Sequence, residues 1–325
     1  MARVRRLSQV GEFGWLKKLI PRLYWPSSLH PQLCIGPGDD AGVLRISSGR
    51  VLVATTDTLV EGIHFERKWT SPQDLGEKLL AVNLSDFAAM GHVKPLAALV
   101  TLALPGDTPV NFVNNFYQGL KSCAHRWKVG FLGGDTVGSR RDWVVSVTLL
   151  GEANPHELVR RKGAQRGDFI AVIGPLGMAA AGLEVLKKGN KQAWTAPLIE
   201  AFWRPQPQLR AGAILGQRRL ASSLIDSSDG LEASLKLLAD ASRLGVTLEL
   251  ASISVNPSLK RWANGRGKNP LHYVFLGGED YALVFTVNPR DWSAVQRLLP
   301  KARKIGRMVA PGKGISLKSY GFAHF

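Results

Sequence analysis

The chain has 325 residues, 45% of them hydrophobic; this is enough to bury a full core across two domains, and it excludes a disordered or low-complexity protein. Its 42 Lys and Arg outnumber its 25 Asp and Glu, for a formal net charge of +17. Those basic residues are scattered over 3–6, 160–166, 187–191, 260–268 and 301–307 without a continuous stripe, zinc-finger spacing or aromatic RNA-binding signature, which argues against specific nucleic-acid binding. The longest apolar stretches, 96–104 and 169–183, are too short or too broken by Gly and Pro for a membrane span of about 20 residues. No apolar signal core follows the basic N-terminus, so a cytoplasmic location is expected. Cys34 and Cys123 fit no disulfide framework or metal motif and are read as reduced thiols.

In chain order, Phe13, Leu16, Leu19, Ile20 and Leu23 recur at helical spacing and predict an amphipathic helix over 12–24. The β-branched run 51–55 predicts a strand ending at Asp57, with that carboxylate at the strand's mouth. A helix follows over 72–90, where Asn83 and Asp86 lie three apart and share a face. A buried strand is read at 96–104, a helix at 110–127, a strand at 129–132 running into Gly133-Gly134-Asp135, and another strand at 143–151. Asn154-Pro155 reads as the linker, dividing the chain into 1–153 and 154–325. The second part reads as strand 169–174, helix 177–188, a strand ending at 224–225, helix 231–244, strands 246–250 and 280–287, helix 291–299 and strand 304–309. Helices and strands alternate in both parts, as in α/β or α+β layer structures.

The acids are the chemical signal. They recur beside glycine or hydroxyl residues in Gly38-Asp39-Asp40, Thr55-Thr56-Asp57, Asn83-Leu84-Ser85-Asp86, Gly133-Gly134-Asp135, Asp226-Ser227-Ser228-Asp229-Gly230 and Gly277-Gly278-Glu279-Asp280. Glycine lets a backbone approach a ligand closely and adopt positive φ. Carboxylates repeated on such segments suit hard cations such as Mg²⁺, which bind through oxygen and are often shared with phosphates. No P-loop ending in Gly-Lys-Ser or Gly-Lys-Thr occurs, and the glycine after Gly36-Pro37-Gly38 is one place late for a dinucleotide loop. A serine-hydrolase elbow and a zinc-protease helix are also missing from the sequence. A metal-dependent phosphate enzyme remains.

Taken together with Gly11-Glu12-Phe13, Thr56-Asp57-Thr58-Leu59-Val60-Glu61-Gly62-Ile63-His64-Phe65 and the closing His324-Phe325, these segments resemble, in order and almost end to end, the thiamine-monophosphate kinase family. That family belongs to the superfamily of aminoimidazole ribonucleotide synthetase. The resemblance implies ATP-dependent phosphorylation of thiamine monophosphate to thiamine diphosphate, the last step of that cofactor's synthesis, with several Mg²⁺ ions and ATP as co-substrate. It implies a two-domain α/β fold of α+β layers. An N-terminal domain for ATP, Mg²⁺ and dimerisation would form a β-barrel with its twin in a homodimer, beside a C-terminal α/β domain completing the nucleotide and substrate site.

By the same resemblance, Asp40, Thr55, Thr56, Asp57, Asp86, Asp135, Asp226 and Asp229 match metal-binding positions, with Asp57 and Asp86 nearest the transferred phosphate. Tyr117, Gly134, Asp135, Arg161 and Ser228 match ATP contacts, and His64, Glu279 and Phe322 match contacts to the thiamine side. Asp39 is expected to fix its loop by accepting backbone N–H bonds. The chemistry suits the composition: an acceptor phosphate is already ionised, so the task is to neutralise repulsion between two polyanions rather than to generate a nucleophile. Two other readings compete: another ATP-using synthetase of the superfamily, or a basic nucleic-acid-binding protein on the same scaffold. The first lacks the reactive cysteine loop near the N-terminus seen in selenophosphate synthetases; the second predicts steeply salt-dependent DNA or RNA retention.

Overall fold

The structure, a computed structural model, describes residues 12–20, 31–47 and 49–315. The helix expected over 12–24 is seen as α1 (Glu12–Leu19), and the remainder of that prediction, like Phe322 and the closing His324-Phe325, lies outside the described residues.

Strands β1 (Leu33–Ile35), β2 (Gly42–Ser47) and β3 (Arg50–Val60) lead into helix α2 (Pro72–Ala89). Next come β4 (Gly91–Pro105), α3 (Val110–Trp127), β5 (Gly130–Ser139) and β6 (Val144–Leu158). They build a six-stranded sheet in the order β1-β2-β3-β6-β4-β5. Its one parallel pair, β4 with β5, is the pair joined through a helix, α3, because parallel neighbours need a crossover.

Three sequence expectations change here. β3 does not stop at Asp57 but runs on to Val60 in register with β6, because Thr55 to Leu59 continue the β-branched pattern. Gly133-Gly134-Asp135 is not a loop: it lies within β5, an edge strand held by parallel pairing to β4, and solvent-exposed through residue 138. Asn154-Pro155 lies within β6 rather than in a linker. Val93 pairs with Ala153 while Gly91 pairs with Leu158, so residues 154–157 bulge opposite His92, where a proline is not called on for a ladder N–H.

Helix α2 organises the molecule. Ser71 caps it by accepting the Asp74 N–H at 3.1 Å, Pro72 occupies its first turn and Asp74 meets the positive end of its dipole. It is buried nearly all round, with the polar Asp74, Lys78, Asn83 and Ser85 enclosed together with its apolar residues. On one side it meets α3 at glycines: a Cβ on Gly76 would lie 2.1 Å from the Phe116 carbonyl oxygen, and one on Gly119 would lie 2.0 Å from that of Gln73. Gly119→Ala is therefore expected to destabilise by about 2–3 kcal/mol through overpacking, read as a fall in Tm of about 5 °C or more.

The second part comprises β7 (Phe169–Ile173), α4 (Met178–Lys188), α5 (Ala196–Trp203), α6 (Leu209–Gln217), β8 (Ala221–Asp226), α7 (Leu231–Ser242), β9 (Gly245–Leu248), α8 (Pro257–Asn264), α9 (Pro270–Leu276), β10 (Leu283–Val287), α10 (Trp292–Leu298) and β11 (Arg303–Val309). Its five strands form an antiparallel sheet, β8-β10-β7-β11-β9. Leu283, Phe285 and Val287 of β10 face the core shared with α2 and the first sheet, while Ala282 and Val284 face a second core with α4, α5 and α7. A strand buried on both faces reads as a near-continuous apolar run, which 283–287 is except at Thr286. The two parts thus form a mixed α/β fold of two layered units joined through one core. Among the described residues the six-stranded sheet keeps open edges at β1 and β5, so no closed barrel forms within one chain.

Candidate functional site

Four segments from both halves converge on one group of carboxylates. Asp40 comes from the turn before β2, Asp57 from β3, Asp86 from the last turn of α2, and Asp226 ends β8 with Asp229 in the turn that follows. Alternation along β3 puts Thr55 on the same face as Asp57. One oxygen from each of Asp40, Asp86 and Asp226 lies within 4.8 Å of the others. Hydroxyls orient them: Thr55 donates to Asp86 at 2.5 Å and Ser85 donates to Asp226 at 2.6 Å. Arg161 donates through Nε and Nη2 to the two Asp40 oxygens at 3.1 and 2.8 Å. Asp39 accepts the backbone N–H of Arg161 at 3.1 Å and of Asp40 at 3.3 Å, fixing its loop as expected, and also accepts from Arg160 Nε at 3.3 Å.

This cluster holds more negative charge than one guanidinium balances. Burial first, and then the charges of Asp57, Asp226 and Asp40, hold the Asp86 carboxyl well above the usual carboxylate range. Burial, with Asp40 next, pushes Asp226 to about 8. Burial and neighbouring Asp229 lift Asp57 to about 6. Burial also raises Asp40, though the ion pair with Arg161 works against it. An oxygen-only donor set with surplus negative charge fits a hard divalent cation, which would restore the ionised state of all these groups.

A pH dependence follows. A carboxyl whose folded pKa lies above its unfolded one binds more protons when folded, so its contribution to stability is complete below about pH 4 and declines as pH rises towards 8 for Asp226. Without divalent cations, Asp226→Asn, whose amide oxygen still accepts from Ser85, should match the parent near pH 4 and exceed it in Tm at pH 8. Saturating Mg²⁺ should shrink that advantage. Thermal melts of both proteins across this range provide the check.

The cluster opens onto a cavity of about 610 Å³. Asp57, Ser228, Asp229, His64 and Glu279 line it, with Leu59, Val82 and Tyr281 among the other walls. His64 accepts the Val60 N–H on Nδ1 at 3.0 Å, so the neutral ring carries its proton on Nε2. Glu279 adopts the left-handed backbone (φ 67°), and its N–H donates to the Ser228 carbonyl at 2.6 Å. Gly278 is required beside it, since a Cβ there would lie 2.5 Å from that same oxygen. The two glycine-acid segments are thereby docked to each other. Asp280 plays a structural part: buried, and pushed up to about 7 by that burial, it accepts the N–H groups of Gly177 and Ala179 at the start of α4.

Other sequence candidates fall elsewhere. Asp135 is exposed on β5 and accepts the Thr136 N–H at 2.8 Å; three strand spacings, about 14 Å, separate β5 from β3. Gly134 stands beside it on that edge. Tyr117 packs edge-to-face on Phe116 at 5.7 Å, half-buried on α3. Thr56 points to the face opposite Thr55 and donates to the Val147 carbonyl at 3.1 Å. Asn83 turns inward and bonds the Leu79 carbonyl at 2.9 Å, so sharing a helix with Asp86 does not make it a partner. Phe322 lies outside the described residues.

Sequence reasoning passed over Ser85 and Lys78. Ser85 immediately precedes Asp86, and Lys78 sits two helical turns before it, on the same face as Val82 and Asp86. That i, i+4, i+8 spacing was the available signal.

Comparison with known proteins gives a consistent result. Residues 38–153 match the AIR synthase related protein N-terminal domain, and residues 165–318 match its C-terminal domain. The chain is 36% identical over 297 residues to a thiamine-monophosphate kinase of Mycobacterium tuberculosis, covering 90% of this chain and 86% of that one. It is 35% identical over 329 residues to a thiamine-monophosphate kinase of Aquifex aeolicus, covering 98% and 100%. A solved structure described as AaThiL complexed with AMPPCP and TMP superposes with a TM-score of 0.87 at 32% identity, covering all of both chains.

Proposed function

Because this chain belongs to the AIR synthase related family and, within it, to the thiamine-monophosphate kinases, we propose that it transfers the terminal phosphoryl group of ATP directly to the phosphate of thiamine monophosphate. The products are ADP and thiamine diphosphate, and the reaction closes the synthesis of that cofactor. One observation carries the reading: a carboxylate cluster with surplus negative charge opens onto a cavity whose walls also present His64 and Glu279. The superposed AaThiL complex, with an ATP analogue and TMP, supports it.

Divalent cations, here Mg²⁺, would be held by Asp40, Asp57, Asp86, Asp226 and Asp229 and would supply the positive charge that lets two phosphate groups meet. Each side chain has a task that follows from its place. Asp57 and Asp229 line the cavity itself, and Thr55 fixes the rotamer of Asp86 behind them by donating to it. Ser85 does the same for Asp226. Arg161, bidentate on Asp40 here, offers a planar donor fork suited to phosphate oxygens. No base is called for, because the acceptor oxygen is already ionised. His64 and Glu279 orient the thiamine moiety, with Phe322 as a further contact.

Gly134 and Asp135 lie on the outer strand β5 and Thr56 faces away, yet β5 exposes Phe131, Leu132 and Val137 along an unpaired edge. Exposed apolar edge strands need cover. In our reading a second copy covers β5 in a homodimer, closes the barrel and brings Gly134 and Asp135 towards a partner's nucleotide. The division into 1–153 and 154–325 and a cytoplasmic location belong to the same reading; no described helix is long and apolar enough to cross a membrane. Incubation with ATP, thiamine monophosphate and Mg²⁺, followed by chromatography, tests the proposal: thiamine diphosphate and ADP should form in equal amounts. Folded protein that yields neither product contradicts it.

A further inference from the structure

We propose that Lys78 is a positioning residue for substrate recognition: it pins the carboxylate of Glu279 at the thiamine end of the cavity and ties it, through helix α2, to the carboxylates at the phosphate end. This rests on reading the cavity as the thiamine monophosphate site. The Lys78 side chain is 1% exposed, so its ammonium is enclosed on a helix whose neighbouring buried residues include Leu75, Leu79 and Val82. Burying a charge is costly unless it is paired. Its Nζ lies 2.7 Å from Glu279 Oε1, the one ion pair it makes among the described residues, and 3.7 Å from the centre of the Phe202 ring. Neither Nζ nor Oε1 makes a directed hydrogen bond, so the attraction is that of two close charges.

The two partners are unequal. At 22% exposure Glu279 can reach solvent by itself, whereas Lys78 cannot. The pair is therefore not needed to keep Glu279 soluble; it fixes where that carboxylate points. The backbone contributes as well, since Glu279 is a non-glycine residue in the left-handed region, anchored to Ser228. With one oxygen held by Lys78, the other is left for an N–H donor or a cationic ring, and thiamine carries both as its aminopyrimidine and thiazolium. Lys78, Val82 and Asp86 fall at i, i+4 and i+8 of α2, spanning about 12 Å along one face, and Val82 lines the cavity between them. A rigid helix thus sets the distance between the group that recognises the vitamin and the group beside the reacting phosphates.

The test is a double-mutant cycle read by steady-state kinetics. Lys78→Met keeps the side-chain volume, and it should raise KM for thiamine monophosphate about tenfold to a hundredfold, the range for a lost charged contact. The kcat at saturation should change less than about threefold, and KM for ATP should stay put, a split that general loosening of the fold would not produce. Should the single variant fail to fold, Lys78→Met combined with Glu279→Gln leaves no unpaired charge, and its KM should equal that of Glu279→Gln alone. A Lys78→Met enzyme with parental KM, or a double variant whose losses multiply, overturns the role of Lys78 while leaving Glu279 as a contact. If Glu279→Gln itself leaves that KM unchanged, the cavity reading falls together with the proposal.

Discussion

Asp57→Asn is expected to lower kcat by about three orders of magnitude while the protein stays folded. The size follows from charge: one unit charge about 4 Å from another, at an effective dielectric of about 20, is worth about 4 kcal/mol, and each decade of rate is about 1.4 kcal/mol. Asparagine keeps the shape and an accepting oxygen, so the strand pairing of β3 with β6 is untouched. It removes only the charge. Burial and the nearness of Asp229 already make that charge unfavourable without a cation, pushing Asp57 to about 6. The metal-free variant should therefore melt no lower than its parent. Circular dichroism and stopped assays of product distinguish this from a folding defect, and a variant with more than about a tenth of parental turnover would remove Asp57 from the reacting centre.

Removal of divalent cations is expected to have a larger effect still, abolishing turnover while the fold survives. ATP and thiamine monophosphate are both anionic, and Arg161, the cation bonded to Asp40 in the carboxylate cluster, is already committed there. Chelation thus leaves two polyanions facing several carboxylates, with nothing to offset their repulsion. Activity should return on adding Mg²⁺, and the recovery should be steeper than a single-site curve, because the donors Asp40, Asp57, Asp86, Asp226 and Asp229 exceed what one small octahedral ion retains alongside its waters. Persistent turnover in excess chelator would show that these acids serve another purpose.

Much of this was legible in the sequence, for identifiable reasons. The bounds of α2 and α3 follow from apolar spacing and from Ser71-Pro72 at the α2 start. The apolar run of β10, broken by Thr286 alone, marks a strand enclosed on both faces. The acids beside glycines point to phosphate chemistry from the sequence alone. What was hidden depends on tertiary pairing. Gly133 and Gly134 are poor strand formers, and only the ladder to β4 makes them one. Pro155 looked like a linker because a bulge wide enough to hold it cannot be read locally. The short helices α8 and α9 were passed over although Asn256-Pro257 and Asn269-Pro270 are legible caps. Spacing also could not sort the acids by role. Asp226 joins the cluster, Asp39 and Asp280 tie down backbone, and Asp135 sits on an outer edge. Lys78 went unnoticed because a single lysine next to Glu77 in a helix carries no motif.

The most direct measurement is the anomalous scattering of crystals grown with Mn²⁺ and a non-hydrolysable ATP analogue. Peaks should appear at coordination distance from Asp40, Asp86 and Asp226, with at least one ion shared between these carboxylates and the analogue's phosphates. An analogue bound in full occupancy, with no divalent density among the three, would contradict cation-mediated joining of the two phosphates.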